Sequence, residues 1–302
     1  MKKIERSNRG QRLSWKREVQ YLWFLLPALV MYTIFSIFPT ISAFRYSFTN
    51  WDGFSPDVKF VWFSNFKFML IDTGFKTAIR NTLIFLVIDV VLQNLLGLAA
   101  ALLLESNIRT KNTLRGLFFI PVVLPAIVVS FLWTYIYGFN GGVLNIWLEN
   151  IGLHKIDFIG DGKIAIYFVI LAGVWQWVTY RTVIYISGIQ GIPMELYESA
   201  SIDGAGKWAR LKNITIPLLR PAFKINVVLC AIGALKQFDV VFTMTKGGPG
   251  DSTQVIATKI FKEAFSNSDY GYGCAIGVVL FFVIMLATLA LNKYFDSREV
   301  EM

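Results

Sequence analysis

The sequence predicts an all-α polytopic membrane protein with six transmembrane helices, from its composition and from the lengths of its apolar runs. Its 302 residues are 55% hydrophobic and 16% charged, whereas soluble domains are about 45–50% apolar and about 25% charged. The apolar excess lies in runs of about twenty residues, long enough as helix to cross a hydrocarbon core of roughly 30 Å. The runs are continuous rather than alternating, which argues against a transmembrane β-barrel.

Six apolar runs are predicted to span the membrane. They cover about residues 21–44, 78–104, 114–137, 164–188, 222–244 and 273–294. The first run is too long for the apolar region of a signal peptide and lacks a small-residue cleavage site, so we predict a retained span. Pro27 and Pro39 are expected to kink it. The predicted division is a basic tail of residues 1–20, a membrane domain of residues 21–295 and a tail of residues 296–302.

The positive charge of the chain favours a membrane over a nucleic acid as its partner. The net charge is +9, and the basic residues cluster at the ends of apolar runs, where an excess of Lys and Arg marks the cytoplasmic side. A cytoplasmic N-terminus leaves about sixteen basic residues inside and about eight outside, so both termini are predicted to be cytoplasmic. The inside set is Lys2, Lys3, Arg6, Arg9, Arg12, Lys16, Arg17, Arg109, Lys111, Arg115, Lys207, Arg210, Lys212, Arg220, Lys293 and Arg298.

Two of the outward loops are predicted to carry short amphipathic helices. Apolar residues at helical spacing follow the turn signals Asn140-Gly141-Gly142 and Lys246-Gly247-Gly248-Pro249-Gly250. In the second loop these residues are Val143, Leu144, Trp147 and Leu148. In the third loop they are Ile256, Ile260, Phe261 and Phe265.

The cytoplasmic connection of residues 189–221 is predicted to hold a partner rather than only to join two spans. Pro193 suits the first turn of a helix, where its missing N–H removes no hydrogen bond. Glu195 and Glu198 are three residues apart and share a face of that helix. Asp203-Gly204 then ends the helix, because Gly adopts the left-handed conformation that commonly follows a helix.

A second short helix is predicted after this break. Trp208 and Leu211 lie on one side of it, and Lys207 and Arg210 lie on the other. Two prolines are expected to close the segment before the fifth span; they are Pro217 and Pro221. The result is a helix–turn–helix with an acidic first arm and a basic second arm. A solvated loop without a partner is the alternative.

The residues of this connection resemble a motif of the permease subunits of binding-protein-dependent ABC importers. The family pattern is Glu-Ala-Ala, three residues, Gly, nine residues, then Ile-x-Leu-Pro. The matching residues here are Glu198, Ala200, Gly204, Ile214 and Pro217. Ser199 replaces the first Ala and Ile216 replaces Leu, and both keep small or apolar character.

Two more segments resemble the sugar-importing branch, the maltose and glycerol-phosphate permease type. They are Phe238-Asp239 with Thr245-Lys246-Gly247-Gly248-Pro249 and Ser252-Thr253, and Ala264-Phe265 with Tyr270-Gly271-Tyr272-Gly273. The resemblance covers nearly the whole chain and implies the type I ABC importer permease fold in a bacterial cytoplasmic membrane. The partners it implies are a second related permease subunit, two ATP-binding subunits, an extracytoplasmic solute-binding protein and a carbohydrate substrate.

The resemblance also implies that a cleft of each ATP-binding subunit receives such a loop. Glu198 is expected to bond to the ATPase, and Tyr197, Ala200 and Trp208 are expected to fill the cleft. The full set of predicted coupling residues is Glu195, Tyr197, Glu198, Ala200, Asp203, Gly204, Ala205, Trp208, Ile214 and Pro217.

No nucleotide-binding motif is visible, so the chain is predicted not to be an enzyme. A P-loop ends in Gly-Lys-Ser/Thr, whose hydroxyl holds Mg²⁺, but Gly206-Lys207 precedes Trp208 and Gly162-Lys163 precedes Ile164. ATP and Mg²⁺ are therefore expected in partner subunits, with no cofactor in this chain. One histidine, His154, and two cysteines, Cys230 and Cys274, indicate neither a metal site nor a disulfide framework.

Polar residues inside the predicted spans mark a candidate solute pathway. Asp89, Gln93 and Gly97 share one helix face, which favours interhelical packing and hydrogen bonding, with pathway lining as the second interpretation. Two cationic residues, Arg181 and Lys236, either favour an anionic solute or pair with Asp89 and Asp239.

By resemblance, sugar-binding positions fall on the fourth and fifth spans. These positions are Gly173, Gln176, Trp177, Tyr180, Cys230, Gly233, Ala234 and Gln237. Aromatic faces suit the C–H surfaces of a sugar, and amides suit its hydroxyl groups. The predicted pathway side chains are Gln176, Trp177, Tyr180, Gln237 and Asp239. The small residues Gly233 and Ala234 either widen the cavity or leave the main site to the partner permease.

Two alternatives belong to other functional classes. A self-contained ion-coupled secondary transporter favours paired halves with broken helices at mid-membrane, and no duplicated half is visible. A membrane enzyme or receptor is the third hypothesis, but an enzyme needs a cluster of acids, bases or metal ligands, and the carboxylates here are scattered.

Overall fold

The computed structural model describes residues 15–106 and 111–297. Among the basic residues predicted to be cytoplasmic, some therefore lie outside the described residues, as do the side chains of others at the helix starts. These are Lys2, Lys3, Arg6, Arg9, Arg12, Arg109 and Arg298, and the side chains of Lys16, Arg17 and Lys111. The described ranges are helical, with one isolated β-bridge between Thr49 and Phe60.

Fifteen α-helices follow one another along the described residues. The first seven are α1 (Trp15–Tyr32), α2 (Phe38–Tyr46), α3 (Ser64–Ile71), α4 (Thr73–Glu105), α5 (Lys111–Val123), α6 (Ala126–Ile136) and α7 (Val143–Asn150). The others are α8 (Ala165–Gln190), α9 (Met194–Ile202), α10 (Lys207–Arg210), α11 (Ile216–Leu218), α12 (Arg220–Leu235), α13 (Asp239–Thr245), α14 (Ile256–Phe261) and α15 (Tyr270–Asp296). Three π-helical turns extend or join them, at Thr33–Ile37, Leu211–Thr215 and Lys262–Ser266.

Four helical segments of the described chain are long and apolar enough to cross a membrane. They are Trp23–Tyr46, Thr73–Glu105, Ala165–Gln190 and Tyr270–Asp296. Two bent helix pairs raise the number to six if each pair counts as one span. The predicted all-α architecture is therefore confirmed. The amphipathic helices predicted in the second and third outward loops are found as α7 and α14.

The third and fifth predicted spans are not the straight helices that the apolar runs indicated. In the third, the helices on either side of Leu124-Pro125 meet at 99°, because Pro125 lacks an N–H and restricts Leu124 to extended backbone. In the fifth, α12 ends at Leu235 and α13 begins at Asp239, so residues 236–238 form a non-helical break.

The predicted end of the 189–221 connection at two prolines coincides with a break between helices, at Leu219. Pro221 lies in the first turn of α12, where its missing N–H leaves no helical hydrogen bond unmade, and Pro217 lies in α11, directly after a π-helical turn. The helical segment Lys207–Leu218 meets α12 at 61° across Leu219. In the first span, Pro39 lies in the first turn of α2 beside a π-helical turn, which places an irregularity where a kink was predicted, and Pro27 lies inside α1.

Helices α4, α8 and α12 form the centre of the molecule. A Cβ on Gly97 of α4 would lie 2.9 Å from Cβ of Arg181 on α8, and a Cβ on Gly188 would lie 2.9 Å from Cβ of Ala222 on α12. Small residues allow such close approach between membrane helices, where dispersion contacts rather than water exclusion drive association. Ala101, Tyr185 and Ala222 belong to one core cluster of these three helices, and Phe85, Ile170 and Val240 belong to a second cluster.

The long helices begin and end at two opposite ends of the molecule. We call the end that carries residues 193–217 the loop end, and the opposite end the far end. At the loop end, Glu105 of α4 pairs with Arg115 of α5 and accepts a 2.9 Å hydrogen bond from Gln190 of α8. Lys224 and Asp296 pair α12 with α15 there. The far end holds the starts of α4 and α15 together with α7 and α14.

Candidate functional site

The first candidate site is the docking loop, which we define as residues 193–217. Helix α9 begins after Pro193 and ends at Ile202. Gly204 has φ of +78°, and the amides of Gly204 and Ala205 donate to the carbonyls of Ser201 (3.1 Å) and Ala200 (2.8 Å). This pattern is a Schellman motif, which satisfies the last carbonyls of the helix and requires a left-handed residue. The predicted break at Asp203-Gly204 is confirmed.

The two arms of the docking loop are bonded to each other. The hydroxyl of Tyr197 lies 2.9 Å from Oγ1 of Thr215, and Nη1 of Arg210 donates to Oγ of Ser201 at 2.9 Å. Tyr197 is half-buried, and its hydroxyl contact with Thr215 joins the two arms of the loop. Its predicted role in filling a partner's cleft stays a prediction.

The outer surface of the docking loop is apolar as well as charged. Trp208 is 72% exposed, Ile202 87% and Met194 68%. Large exposed apolar side chains outside the membrane-spanning helices are candidates for an interaction surface. The exposed predicted residues are Glu195, Glu198, Asp203, Gly204 and Trp208, and the half-buried ones are Tyr197, Ala200, Ala205, Ile214 and Pro217. Sequence reasoning missed Met194 and Ile202, although apolar residues at both ends of a polar helix were a usable signal.

The second candidate site is a cavity of about 410 Å³ between α4, α8 and α12, beside the break at residues 236–238. Four of the five predicted pathway residues line it: Trp177, Tyr180, Gln237 and Asp239. Cys230, Gly233 and Lys236 line it as well. Gln237 and Asp239 both line the cavity, at the point where the backbone of residues 236–238 is not helical.

Gln176, the fifth predicted pathway residue, does not line the cavity. Its side chain is 2% exposed, and its Nε2 donates to the carbonyl of Leu124 at 3.0 Å. Leu124 lies where α5 and α6 separate, so its carbonyl lacks a regular helical partner. Gln176 therefore stabilises a bend that the sequence analysis did not expect, and Ala234 is likewise buried in the core.

A buried polar network forms one wall of the cavity. Gln93 donates from Nε2 to Oδ1 of Asp89 at 2.7 Å, and its Oε1 accepts from Nε of Arg181 at 3.0 Å. Asp89, Gln93 and Arg181 are 5%, 2% and 6% exposed, and all three line the cavity. The Asp89 stripe therefore joins two helices by hydrogen bonds, as predicted, and it also faces the cavity; its role in a solute pathway stays a prediction.

The far end carries a buried ion cluster formed by Asp72, Lys259, Glu263 and Tyr272. Nζ of Lys259 lies 3.0 Å from Asp72 and 2.7 Å from Glu263, and the Tyr272 hydroxyl donates to Asp72 at 2.7 Å. Burial raises the pKa of Asp72, but hydrogen bonds from Tyr272 and Lys259 outweigh burial and hold that pKa below its ordinary value. Burial lowers the pKa of Lys259, but Glu263 and Asp72 outweigh it and raise that pKa.

A neighbouring clamp at the far end attaches the loop before α14 to α4. Nδ2 of Asn81 donates to the carbonyls of Ser252 and Gln254 at 2.8 and 2.9 Å, and the amide of Ile256 donates to Thr82. Across residues 15–106 and 111–297, three or more His, Cys, Asp or Glu side chains nowhere gather in a way that suits a metal ion.

Comparison with known proteins gives consistent relatives over nearly the whole chain. The family described as "binding-protein-dependent transport system inner membrane component" matches residues 93–300. A probable ABC transporter permease protein of Pyrococcus horikoshii is 38% identical over 269 residues, which are 88% of this chain and 92% of that protein. The trehalose/maltose transport system permease of Thermococcus litoralis is 32% identical, over 89% of this chain and 91% of its own length.

The fold is also found among solved structures. A chain of a bacterial alginate ABC transporter, in complex with an alginate pentasaccharide-bound periplasmic protein, superposes with a TM-score of 0.82. The match covers 92% of this chain and 94% of that one, at 22% identity. This likeness supports the arrangement of the helices described above.

Proposed function

The chain belongs to the family of binding-protein-dependent transport system inner membrane components, and from this premise we propose that its cargo is a carbohydrate. It is a permease component of an ABC importer. The alternative of a self-contained ion-coupled transporter has no support among these relatives, which are named as permeases of such systems. The substrate class, the partners and the orientation are the proposed parts.

The observation that carries the mechanism is the connection between cavity and docking loop. Helix α8 carries Trp177 and Tyr180 on the cavity wall and leads into α9 at its other end. Helix α12 carries Cys230 and Gly233 on the same wall and continues backward through the 61° bend into α10. A displacement of the docking loop therefore moves two walls of the cavity together, which is what alternating access requires.

The docking loop is proposed to receive the motion from a separate ATP-binding subunit. Exposed Trp208, Ile202 and Met194 suit an apolar cleft, and exposed Glu198 suits a cationic or N–H donor on its rim. The complex is proposed to contain two ATP-binding subunits, with ATP and Mg²⁺ bound there, and a second related permease. Both termini and the docking loop are then cytoplasmic, and the far end faces an extracytoplasmic solute-binding protein.

The lining of the cavity supports a carbohydrate as the solute. Trp177 and Tyr180 offer aromatic faces, 38% and 44% exposed, and Gln237 and Asp239 offer hydrogen-bonding groups beside them. Sites for small molecules combine apolar and aromatic walls with a few placed polar groups. The name of the trehalose/maltose relative fits the same class.

Uptake by the reconstituted complex tests this proposal. The chain, its second permease, the ATP-binding subunits and the binding protein are placed in vesicles, and ATP hydrolysis and uptake are measured with maltose, trehalose, diacetylchitobiose and glucuronate. We expect saccharide-dependent stimulation of both. Accumulation of solute by this chain alone, without a nucleotide-hydrolysing subunit, would contradict the mechanism, and stimulation by no saccharide would contradict the cargo.

A pair of neighbouring tryptophans provides the matched variants. Trp177→Ala is expected to raise the KM for the transported saccharide about tenfold, the effect of losing an aromatic contact of roughly 1.5 kcal/mol. Trp175 is 37% exposed on the same helix and packs edge-on against Trp133, with ring centroids 5.7 Å apart. Trp175→Ala should leave KM unchanged, because Trp175 does not line the cavity.

A further inference from the structure

The network of Asp89, Gln93 and Arg181, which we call the polar triad, has a fixed orientation. Asp89 can only accept from the Gln93 amide and Arg181 can only donate to it, so the two ends of this amide are assigned by charge. Nε2 lies 2.7 Å from Asp89 and Oε1 lies 3.0 Å from Arg181. The triad therefore presents a carboxylate and a guanidinium, held apart by one amide, on a single wall of the cavity.

Both charged members of the polar triad retain unused hydrogen-bonding capacity. The second oxygen of Asp89, Oδ2, meets only the weak thiol donor of Cys230, at 3.6 Å. Nη1 of Arg181 is buried, and no hydrogen-bond partner for it lies among residues 15–106 and 111–297. Leaving a buried charged group without its hydrogen-bond partners destabilises the folded protein. Such groups at the wall of a cavity point to a ligand that completes them.

The surroundings hold Arg181 in place on the cavity wall. Its backbone carbonyl accepts from Nδ2 of Asn226 on α12 at 3.1 Å, and its Cβ packs on Gly97 of α4. Its guanidinium carbon lies 5.3 Å from the centre of the Tyr180 ring. Binding groups locked by neighbouring contacts lose little freedom when a ligand arrives.

We propose that the polar triad is a hydroxyl-recognition subsite for a neutral saccharide. One sugar hydroxyl donates a hydrogen bond to Asp89, and a neighbouring hydroxyl accepts a hydrogen bond from Arg181, so a vicinal pair of hydroxyl groups satisfies both residues. A carboxylate on the solute would match Arg181 but be repelled by Asp89, and the cavity holds two acids, Asp89 and Asp239, against two bases, Arg181 and Lys236. The assignment rests on the proposed carbohydrate cargo. It adds α4 to the helices that are proposed to contact the solute.

The competing explanation is that the triad only holds α4 against α8. The same two helices offer a control for that role, because the hydroxyl of Tyr185 on α8 donates to Oδ1 of Asn94 on α4 at 2.7 Å. Both residues are buried, and neither lines the cavity. Tyr185→Phe removes an interhelical hydrogen bond of the same kind without touching the proposed subsite.

The test compares uptake of a parent saccharide with uptake of its monodeoxy analogues by the full complex. The parent is whichever of maltose, trehalose and diacetylchitobiose supports uptake by the unaltered protein. For that protein, loss of a recognised hydroxyl should raise KM about 10- to 100-fold, the effect of a hydrogen bond to a charged group. In Asp89→Asn and Arg181→Lys, the KM for the parent should rise, and the analogue lacking the hydroxyl read by that residue should no longer be worse than the parent.

The outcomes separate recognition from packing. An unchanged deoxy-to-parent KM ratio in both triad variants, with uptake reduced as in Tyr185→Phe, overturns the subsite. Failure of both triad variants to accumulate in the membrane, while Tyr185→Phe accumulates normally, assigns a structural role and also overturns it. Absence of uptake with any saccharide by the unaltered protein contradicts the proposed cargo itself, which is a different result from a flat deoxy pattern.

Discussion

The docking loop and the far end of the molecule differ in whether their key side chains are buried and paired or exposed. At the far end, Asp72 and Lys259 are mostly buried and bonded to each other, with further bonds from Tyr272 and to Glu263. In the docking loop, the largest side chain, Trp208, is 72% exposed. The far-end cluster pairs its charged groups within the chain, whereas the docking loop leaves large apolar side chains exposed. Substitutions should therefore affect stability at one end and partner coupling at the other.

The largest effect is expected at the turn of the docking loop. Gly204→Pro cannot adopt the φ of +78° that the turn requires, because proline fixes φ near −65°. We expect saccharide uptake by the complex to fall by about 100-fold or more, as for a mispositioned docking helix, while the chain still inserts and assembles with its second permease. Uptake and ATP hydrolysis in reconstituted vesicles are the measurements.

Gly152 offers the matched control for that substitution. It has φ of +81° after α7, and like Gly204 it has open space where a Cβ would lie. Gly152→Pro introduces the same strain away from the docking loop. If both variants lose uptake equally, the loss reflects general strain rather than the docking loop.

A smaller effect is expected for the exposed tryptophan of the docking loop. Trp208→Ala should weaken association with the ATP-binding subunit by about 30-fold, which corresponds to a hot-spot contribution of roughly 2 kcal/mol. The thermal stability of the permease should not change, because the exposed Trp208 ring makes little contact with the rest of the chain. Binding of the purified ATP-binding subunit to the permease pair measures this. Trp147→Ala, which removes a 59% exposed ring on α7, should leave that affinity unaltered.

The smallest effect on coupling is expected for the far-end cluster, where stability changes instead. Asp72→Asn should lower the melting temperature of the permease by several degrees, because Lys259 loses one of its two carboxylates. Affinity for the ATP-binding subunit should stay the same. Asp57→Asn breaks an exposed pair with Lys59, 3.3 Å apart, and should leave the melting temperature within about a degree.

The pH dependence of that difference has a definite sign. The pKa of Asp72 is held below its ordinary value of 3.8, so its stabilising charge is fully present above that value and is lost as the pH falls through the lowered pKa. The melting temperatures of the unaltered protein and of Asp72→Asn should differ by a constant amount between about pH 5 and 8 and converge below about pH 4. A difference that grows on acidification would contradict the assignment.

The spans that sequence analysis located best are those whose apolar runs form single helices. The run at residues 78–104 corresponds to α4, which begins earlier at Thr73. The added residues, 73–77, include Lys76 and two threonines, so hydropathy alone does not register them as part of the helix. Composition reports where a segment is apolar, but a helix also continues through polar turns that are capped, as Asp72 caps α4 by accepting from the amide of Gly74.

Breaks inside apolar runs were harder to predict. Pro125 was a visible signal for the 99° bend, yet prolines also occur inside helices here, as Pro27 does. Nothing local in Lys236-Gln237-Phe238 requires a break, which depends on the packing of α12 and α13 against different helices. For the same reason Gln176 was assigned to the cavity, since the carbonyl it bonds to, that of Leu124, lies 52 residues away in sequence.

In the docking loop, local chemistry predicted more. Pro193 and Gly204 act through their own backbones, so their positions in sequence suffice to predict the start and the end of α9. The second arm depends on tertiary contact, because Tyr197 and Thr215 hold it against the first. The cavity lay between these cases. Its aromatic members and Arg181 were expected, but the hydrogen bond of Arg181 to Gln93 depends on the close approach of α4 and α8 at Gly97.

The first membrane segment differs from every other in that each side chain from Trp23 to Ile41 is exposed. Phe44 of this segment packs edge-on against Phe281 and Phe282, which lie near the opposite end of the chain. During translation this segment must therefore leave the ribosome and reside among lipids long before those rings are made. A helix with apolar side chains on all sides is suited to lipid before the rest of the chain has folded, because its backbone hydrogen bonds are made within the helix itself.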